Sequence, residues 1–277
     1  MKRKKSPRKV ITIIAISILV IGIVFSSVIL GSYYFYQKDI DETINEIDNR
    51  ISSVETPTTT SRNSEKNTVE SDGDNSDTGD SPQSDGYVYY SNNDRRQNNV
   101  DVNRLREASL KYNEALKSIQ SSKLVGEKSY TYAALDLTQY GIYDNIYGYV
   151  SAPAIDMELP IYLGVTEGNM AYGAAHFCYT SLPTGGESTN VVLAGHTGYI
   201  GRWLFDSIRY LGEGDEVNVK TYIGSLSYKV VDKKIKFPKE SEDIFIDKGK
   251  DKLTLTTCIY DSEGNYKRCI VICERKQ

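Results

Sequence analysis

Two side chains in this 277-residue sequence have the types and settings for acyl transfer, and each closes a β-rich run. Cys258 ends Leu253-Thr254-Leu255-Thr256-Thr257-Cys258, and His196 ends Val191-Val192-Leu193-Ala194-Gly195-His196. A strand that stops at such a residue presents its side chain to a cleft from a position the ladder has fixed. A thiolate attacks a carbonyl carbon, and an imidazole can take the thiol proton and hand it to the leaving amine. Arg268 begins another apolar run ten residues beyond Cys258, after the loop Asp261-Ser262-Glu263-Gly264-Asn265. That is a hairpin spacing, so Cys258 and Arg268 are expected on adjacent strands, with the guanidinium placed to stabilise an oxyanion. Each residue also has an ordinary reading. A lone cysteine is usually a small buried hydrophobe, a histidine after glycine can cap a turn, and one arginine among many proves nothing.

The surrounding patterns are more specific. Leu193-Ala194-Gly195-His196-Thr197 and Thr254-Leu255-Thr256-Thr257-Cys258 closely resemble the Gly-His-Thr and Thr-Leu-x-Thr-Cys motifs of sortases. Arg268, in Lys267-Arg268-Cys269-Ile270-Val271, matches the family's third catalytic position, and the resemblance runs from about Tyr147 to the C-terminus. It implies a mainly β fold, an eight-stranded closed β-barrel with short helices and an N-terminal helix. It also implies a cysteine transpeptidase with Cys258 as nucleophile, His196 as acid/base and Arg268 as oxyanion stabiliser. Such an enzyme cleaves a Leu-Pro-x-Thr-Gly-like sorting signal between Thr and Gly through an acyl-enzyme. It then passes the acyl group to an amine, a pilin lysine or a peptidoglycan precursor. The implied partners are surface proteins or pilins bearing a C-terminal sorting signal. In that family the threonine before the nucleophile, here Thr257, helps line the substrate pocket, and Thr197 of the Gly-His-Thr motif is taken with it as a substrate-contact residue. No cofactor or metal is expected, and two histidines and four cysteines without a Cys-x-x-Cys pair offer little for zinc. Two other readings stand beside this one: a cysteine peptidase that uses water, and a non-catalytic membrane-tethered envelope binding module.

Tyr112-Asn113-Glu114-Ala115-Leu116 resembles the N-terminal helix of class C, pilus-building sortases, as does His176 followed by Thr180-Ser181-Leu182-Pro183-Thr184-Gly185-Gly186. The class's Asp-Pro-aromatic lid motif is missing between helix and barrel, no apolar span follows Cys273, and Thr-Pro-Tyr-Gly does not follow Cys258. The expectation is a class C-like enzyme without the typical lid. Ser121–Asn145, with apolar Ala133-Ala134-Leu135 and Leu137, is expected to lie along the barrel wall and leave Cys258 reachable. Leu182-Pro183-Thr184-Gly185 reads as a turn and His176 as a structural hydrogen-bonding residue. Cys269 and Cys273, four apart on one strand, are too distant to bridge one another and read as core, while a pairing of Cys178 with one of them stays open. Asp215 reads as a turn residue.

The elements that must position these residues follow a long leader. Lys2, Arg3, Lys4, Lys5, Arg8 and Lys9 make residues 1–9 a basic tail, and Val10–Tyr36 then runs without a charged residue. About 20 residues at a rise of about 1.5 Å cross a bilayer core, whereas a signal peptide's apolar region is typically about 7–15 residues. Tyr33, Tyr34, Phe35 and Tyr36 suit the membrane interface. Residues 10–36 therefore read as a single-pass anchor, with the basic tail cytoplasmic and everything after Gln37 extracellular. Ile40, Ile44, Ile47, Ile51 and Val54 form a heptad-like seam over 37–55, read as a short stalk helix with weak self-association as its alternative. Residues 56–86 are Ser, Thr, Asn, Asp and Gly with scarcely an apolar side chain, read as a disordered acidic tether that lets the domain stand off the membrane. Residues 87–146 read as a helical, lid-like region with a helix over Val102–Ile119, and 147–277 as the barrel. Strands are predicted near 147–152, 160–163, 190–194, 216–221, 226–235, 253–257 and 268–273, with helical turns over 167–174 and 202–210. A net charge of -4 gives no basic surface for nucleic acid.

Overall fold

The computed structural model describes residues 7–55, 88–89, 100–124, 129–238, 240 and 242–276. The tether expected over 56–86 lies outside the described residues. The described chain runs α1 (Pro7–Glu55), β1 (Val88–Tyr89), α2 (Val102–Lys123), β2 (Ile146–Ala152), β3 (Met157–Leu163), α3 (Glu167–Tyr172) and β4 (Ala174–His176). It continues through β5 (Thr189–Ala194), β6 (Glu216–Thr221), β7 (Gly224–Lys236), β8 (Asp251–Tyr260) and β9 (Tyr266–Arg275), with short 3-10 turns between elements.

Strands β2–β9 close the expected eight-stranded barrel in the order β7-β6-β2-β3-β4-β5-β8-β9, β9 returning to β7, while β1 pairs with Gly224 and Ser225. Closure falls to β7, which is 13 residues long. It pairs with β6 through Gly224–Lys229 and with β9 through Tyr228–Lys236, bending at an irregularity between Val230 and Asp232. Period-two alternation sends Val217, Val219, Leu226, Leu253, Leu255 and Val271 into the barrel, where they are fully buried. Each such side chain contributes about 1.5–3 kcal/mol of burial. Cys269 and Cys273 join this core as free thiols, as expected, and Cys178 is also buried and free.

The structure differs from the sequence reading beside α3. The helical turn expected over 167–174 ends at Tyr172, and Ala174–His176 form strand β4, parallel to β3 and antiparallel to β5. Gly173 stands at that junction, and a Cβ there would collide with the Pro160 carbonyl oxygen. Within 202–210 the helical element is a 3-10 turn over Ile208–Tyr210.

Both long helices are fastened to the barrel. On α2 the buried Asn113 amide donates to Leu182 O (2.9 Å) and Thr184 Oγ1 (2.8 Å), and its carbonyl oxygen accepts from Leu182 N (2.8 Å). Gln120 donates to Tyr179 O (2.9 Å) and accepts from Ile246 N (2.8 Å). On α1 the seam residues Ile40, Ile44, Ile47 and Ile51 are buried in the same core cluster as the barrel, against β2 and β3. Asp48 accepts from Tyr149 and Lys220 (both 2.8 Å), and Arg50 pairs with Asp144 (2.6 Å). The isoleucine seam thus has a partner in this chain's own barrel.

Candidate active site

Strands β5 and β8 run parallel, with Ala194 opposite Thr256, so both deliver their last residues to one rim of the barrel. His196 and Cys258 each lie two residues beyond that pair. The ladder is extended past its end by three bonds: Gly195 N donates to Thr256 O (3.3 Å), Thr257 Oγ1 to Gly195 O (2.7 Å), and Thr197 Oγ1 to Cys258 O (2.6 Å). Gly195 has no room for a side chain, since a Cβ would sit 2.5 Å from the Phe205 ring. Phe205 in turn donates its N–H to the His196 carbonyl (3.0 Å), and Asp206 accepts from Gly198 N (2.7 Å), holding the loop that follows the histidine.

The hairpin expectation holds: β8 and β9 are antiparallel and Cys258 lies directly opposite Arg268. Opposed residues share a face, and Leu255, Thr257, Cys269 and Val271 take the barrel side of this pair. Cys258, Tyr260, Tyr266 and Arg268 therefore share the outer side. Tyr266 Oη lies 2.6 Å from Cys258 Sγ, a contact the motifs did not announce. Its hydrogen bond with Cys258, aided by burial, pushes the Tyr266 phenol up to about 12, so it stays protonated at neutral pH and available as a donor.

A cleft of about 540 Å³ opens at this rim. His196, Thr257, Cys258, Tyr266 and Arg268 line one side, and Tyr130, Glu167, Met170 and Phe177 line the other. Thr197 is not among the lining residues; its hydroxyl is spent on the Cys258 carbonyl, and the Thr257 hydroxyl on Gly195. His196 Nε2 and Arg268 Nε are shielded from solvent without a hydrogen-bond partner. Glu167, in the first turn of α3, has its carboxylate 3.7 Å from His196 Nε2, close enough to pair with the imidazolium form. Of the four cysteines, Cys258 is the one that is not buried. Burial raises the thiols of Cys178 and Cys269 and pushes Cys273 up to about 12, which leaves them poor nucleophiles.

The remaining titratable candidates have structural partners. His176 is fully buried, its Nε2 within 2.9 Å of Ser181 O, and burial depresses it to about 4. Asp215 accepts from Gly212 N (2.8 Å) in a turn before β6. The segment between α2 and β2 packs Leu137 into the core and brings Tyr130 and Thr131 to the cleft wall, and Cys258 is partly exposed. No group of three or more metal-ligating side chains occurs among the described residues.

Residues 150–276 match the family model of the Sortase domain. A relative, Sortase A of Bacillus anthracis, is 32% identical over 126 residues, 46% of this chain; the chain spans 58% of that relative's length. Among solved structures, the lid mutant of Streptococcus agalactiae Sortase C1 is 28% identical with a TM-score of 0.55, over 64% of this chain and 89% of that one. The Clostridium perfringens sortase C solved with the C-terminal cell wall sorting motif is 29% identical with a TM-score of 0.52, over 64% of this chain and 90% of that one. Residues 150–276 thus match the Sortase domain, and the structural likeness is to sortase C enzymes, Sortase C1 of the group B streptococcal pilus island among them.

Proposed function

We propose that the chain is a membrane-anchored cysteine transpeptidase that cleaves a Leu-Pro-x-Thr-Gly-like sorting signal between Thr and Gly. The observation that carries this reading is the convergence of His196, Cys258 and Arg268 on one cleft, with a thiol that is partly exposed. The Cys258 thiol gives its proton to His196, and the sulfur attacks the threonine carbonyl carbon. The oxyanion that forms is met by the Arg268 guanidinium, whose Nε has no other hydrogen-bond partner. His196 then protonates the glycine nitrogen as the peptide bond breaks, leaving a thioester on Cys258. An incoming amine attacks the thioester, loses a proton to His196 and expels the thiolate. Tyr266 donates to the sulfur whenever it is anionic, and Glu167 offsets the charge of the imidazolium. The acyl donor is a surface protein or pilin, and the acceptor a pilin lysine or a peptidoglycan precursor. A further part of the proposal places Cys258, His196 and Arg268 outside the cell. Among the described residues one helix is long and apolar enough to cross a membrane, with mean hydropathy 3.0 and no burial over its most apolar window. The basic tail before it fixes the N-terminus in the cytoplasm. Product analysis on a Leu-Pro-x-Thr-Gly peptide, with and without an amine, tests the reading. Amide product at the expense of acid supports transfer, and acid alone at every amine concentration would leave a hydrolase instead.

A further inference from the structure

The loop that follows His196 carries an apolar face whose position is set by α1. Residues 10–29 number twenty and rise about 30 Å, the thickness of a bilayer core. Ser32 to Tyr36 therefore emerge at the outer interface. The barrel meets the helix at this level, because Gly201 lies against Ser32 and a side chain there would collide with it. Trp203 packs edge-on against Tyr33, ring centroids 6.3 Å apart. Arg202, the one charged residue of Tyr199-Ile200-Gly201-Arg202-Trp203, is turned inward: it donates to Ala171 O (2.6 Å) and lies over the Tyr36 ring. The apolar neighbours are exposed instead, Ile200 at 75% and Trp203 at 59%, as are Tyr34 at 65% and Phe35 at 70% on α1. A groove of about 550 Å³ between α1 and the barrel, lined by Ile29, Leu30, Tyr33, Met157 and Trp203 among others, opens at the same level.

From this juxtaposition we infer that Ile200 and Trp203 form a membrane-contact surface, seated in the outer interface of the bilayer that α1 crosses. An isolated exposed apolar side chain needs no explanation, but these are continuous with a helix whose own surroundings are lipid. Tryptophan is a residue of that interface, with an apolar body and one donor. The loop reaches the cleft directly, since Tyr199 stacks on the His196 ring with centroids 5.0 Å apart. The barrel is thereby held down on the membrane, with its cleft beside the surface where an acyl donor anchored in the same bilayer emerges. This inference rests on the anchor reading of α1 and reaches beyond the chemistry proposed for Cys258.

The chain contains a single tryptophan, so its fluorescence reports on one site. The test uses the full chain in phosphatidylcholine vesicles containing lipids spin-labelled either near the headgroup or at the end of the acyl chain. Trp203 is expected to be quenched more strongly by the shallow label than by the deep one, and weakly by aqueous iodide. Ile200→Asp, at an exposed position, is expected to cause loss of the shallow quenching and gain of iodide quenching. Strong iodide quenching of the unmodified chain with no lipid quenching would overturn the inference while leaving the anchor intact. Release of the chain by alkaline carbonate would instead overturn the anchor reading and this inference with it.

Discussion

Replacing Gly195 by alanine tests how the histidine is held at the rim. The added methyl would sit 2.5 Å from two Phe205 ring carbons and 3.1 Å from its Cβ, and Phe205 is fully buried. No flexible end can yield, so the ring and the 204–206 turn must shift together. Overpacking of this kind costs about 1–3 kcal/mol, and each kcal/mol lowers Tm by about 2–4 °C for a folded unit of this size. Activity should fall further than stability, because Phe205 N holds the His196 carbonyl (3.0 Å) and moves with the ring. A displacement near 1 Å can cost about a hundredfold in rate. Thermal unfolding and single-turnover acylation by a sorting-signal peptide measure the two effects separately. Phe205→Leu in the same chain should recover part of both, giving a coupling between the two positions that distant sites lack. Gly195→Ala with unchanged Tm and unchanged acylation would refute the claim that this contact positions His196.

Tyr266→Phe removes the donor 2.6 Å from Cys258 Sγ, so alkylation of the thiol at neutral pH should slow; acceleration would mean that the hydroxyl merely covers the sulfur. Asn113→Ala strips hydrogen bonds from the buried Leu182 N–H and C=O, each worth about 1–3 kcal/mol when left unsatisfied, and should lower the denaturant midpoint accordingly. An unchanged midpoint would show that α2 is not integral to the folded unit. Fully buried His176 is depressed to about 4, so below its ordinary value the unfolded chain takes up a proton that the folded chain refuses. Stability should then fall as pH drops from about 6.5 to 4, by up to roughly 3 kcal/mol, and a His176→Gln variant should lack that part of the slope. The same slope in both would remove His176 as its source.

The barrel was legible because its strands carry period-two alternation between turn residues, and the predicted runs at 147–152, 216–221, 226–235, 253–257 and 268–273 all fall inside strands. Strand β4 was not, since three residues beside a helix are too few to show a period. Cys258 and His196 could be found from motifs at run ends, but their juxtaposition comes from the parallel pairing of β5 and β8, a long-range fact no local pattern states. Tyr266 had a usable signal. Once Cys258 and Arg268 are opposed on a hairpin, the residue two before Arg268 must share their face. The seam of Ile40, Ile44, Ile47 and Ile51 announced a buried helix face, and periodicity is silent on which surface buries it.

The transpeptidase reading is tested most directly by the intact mass of the full chain after mixing with a Leu-Pro-x-Thr-Gly peptide. The predicted result is one adduct equal to the fragment ending in threonine, mapped to Cys258, discharged by an amine and absent in Cys258→Ala. An adduct on Cys178, Cys269 or Cys273, or discharge by water with no response to amine, would contradict it.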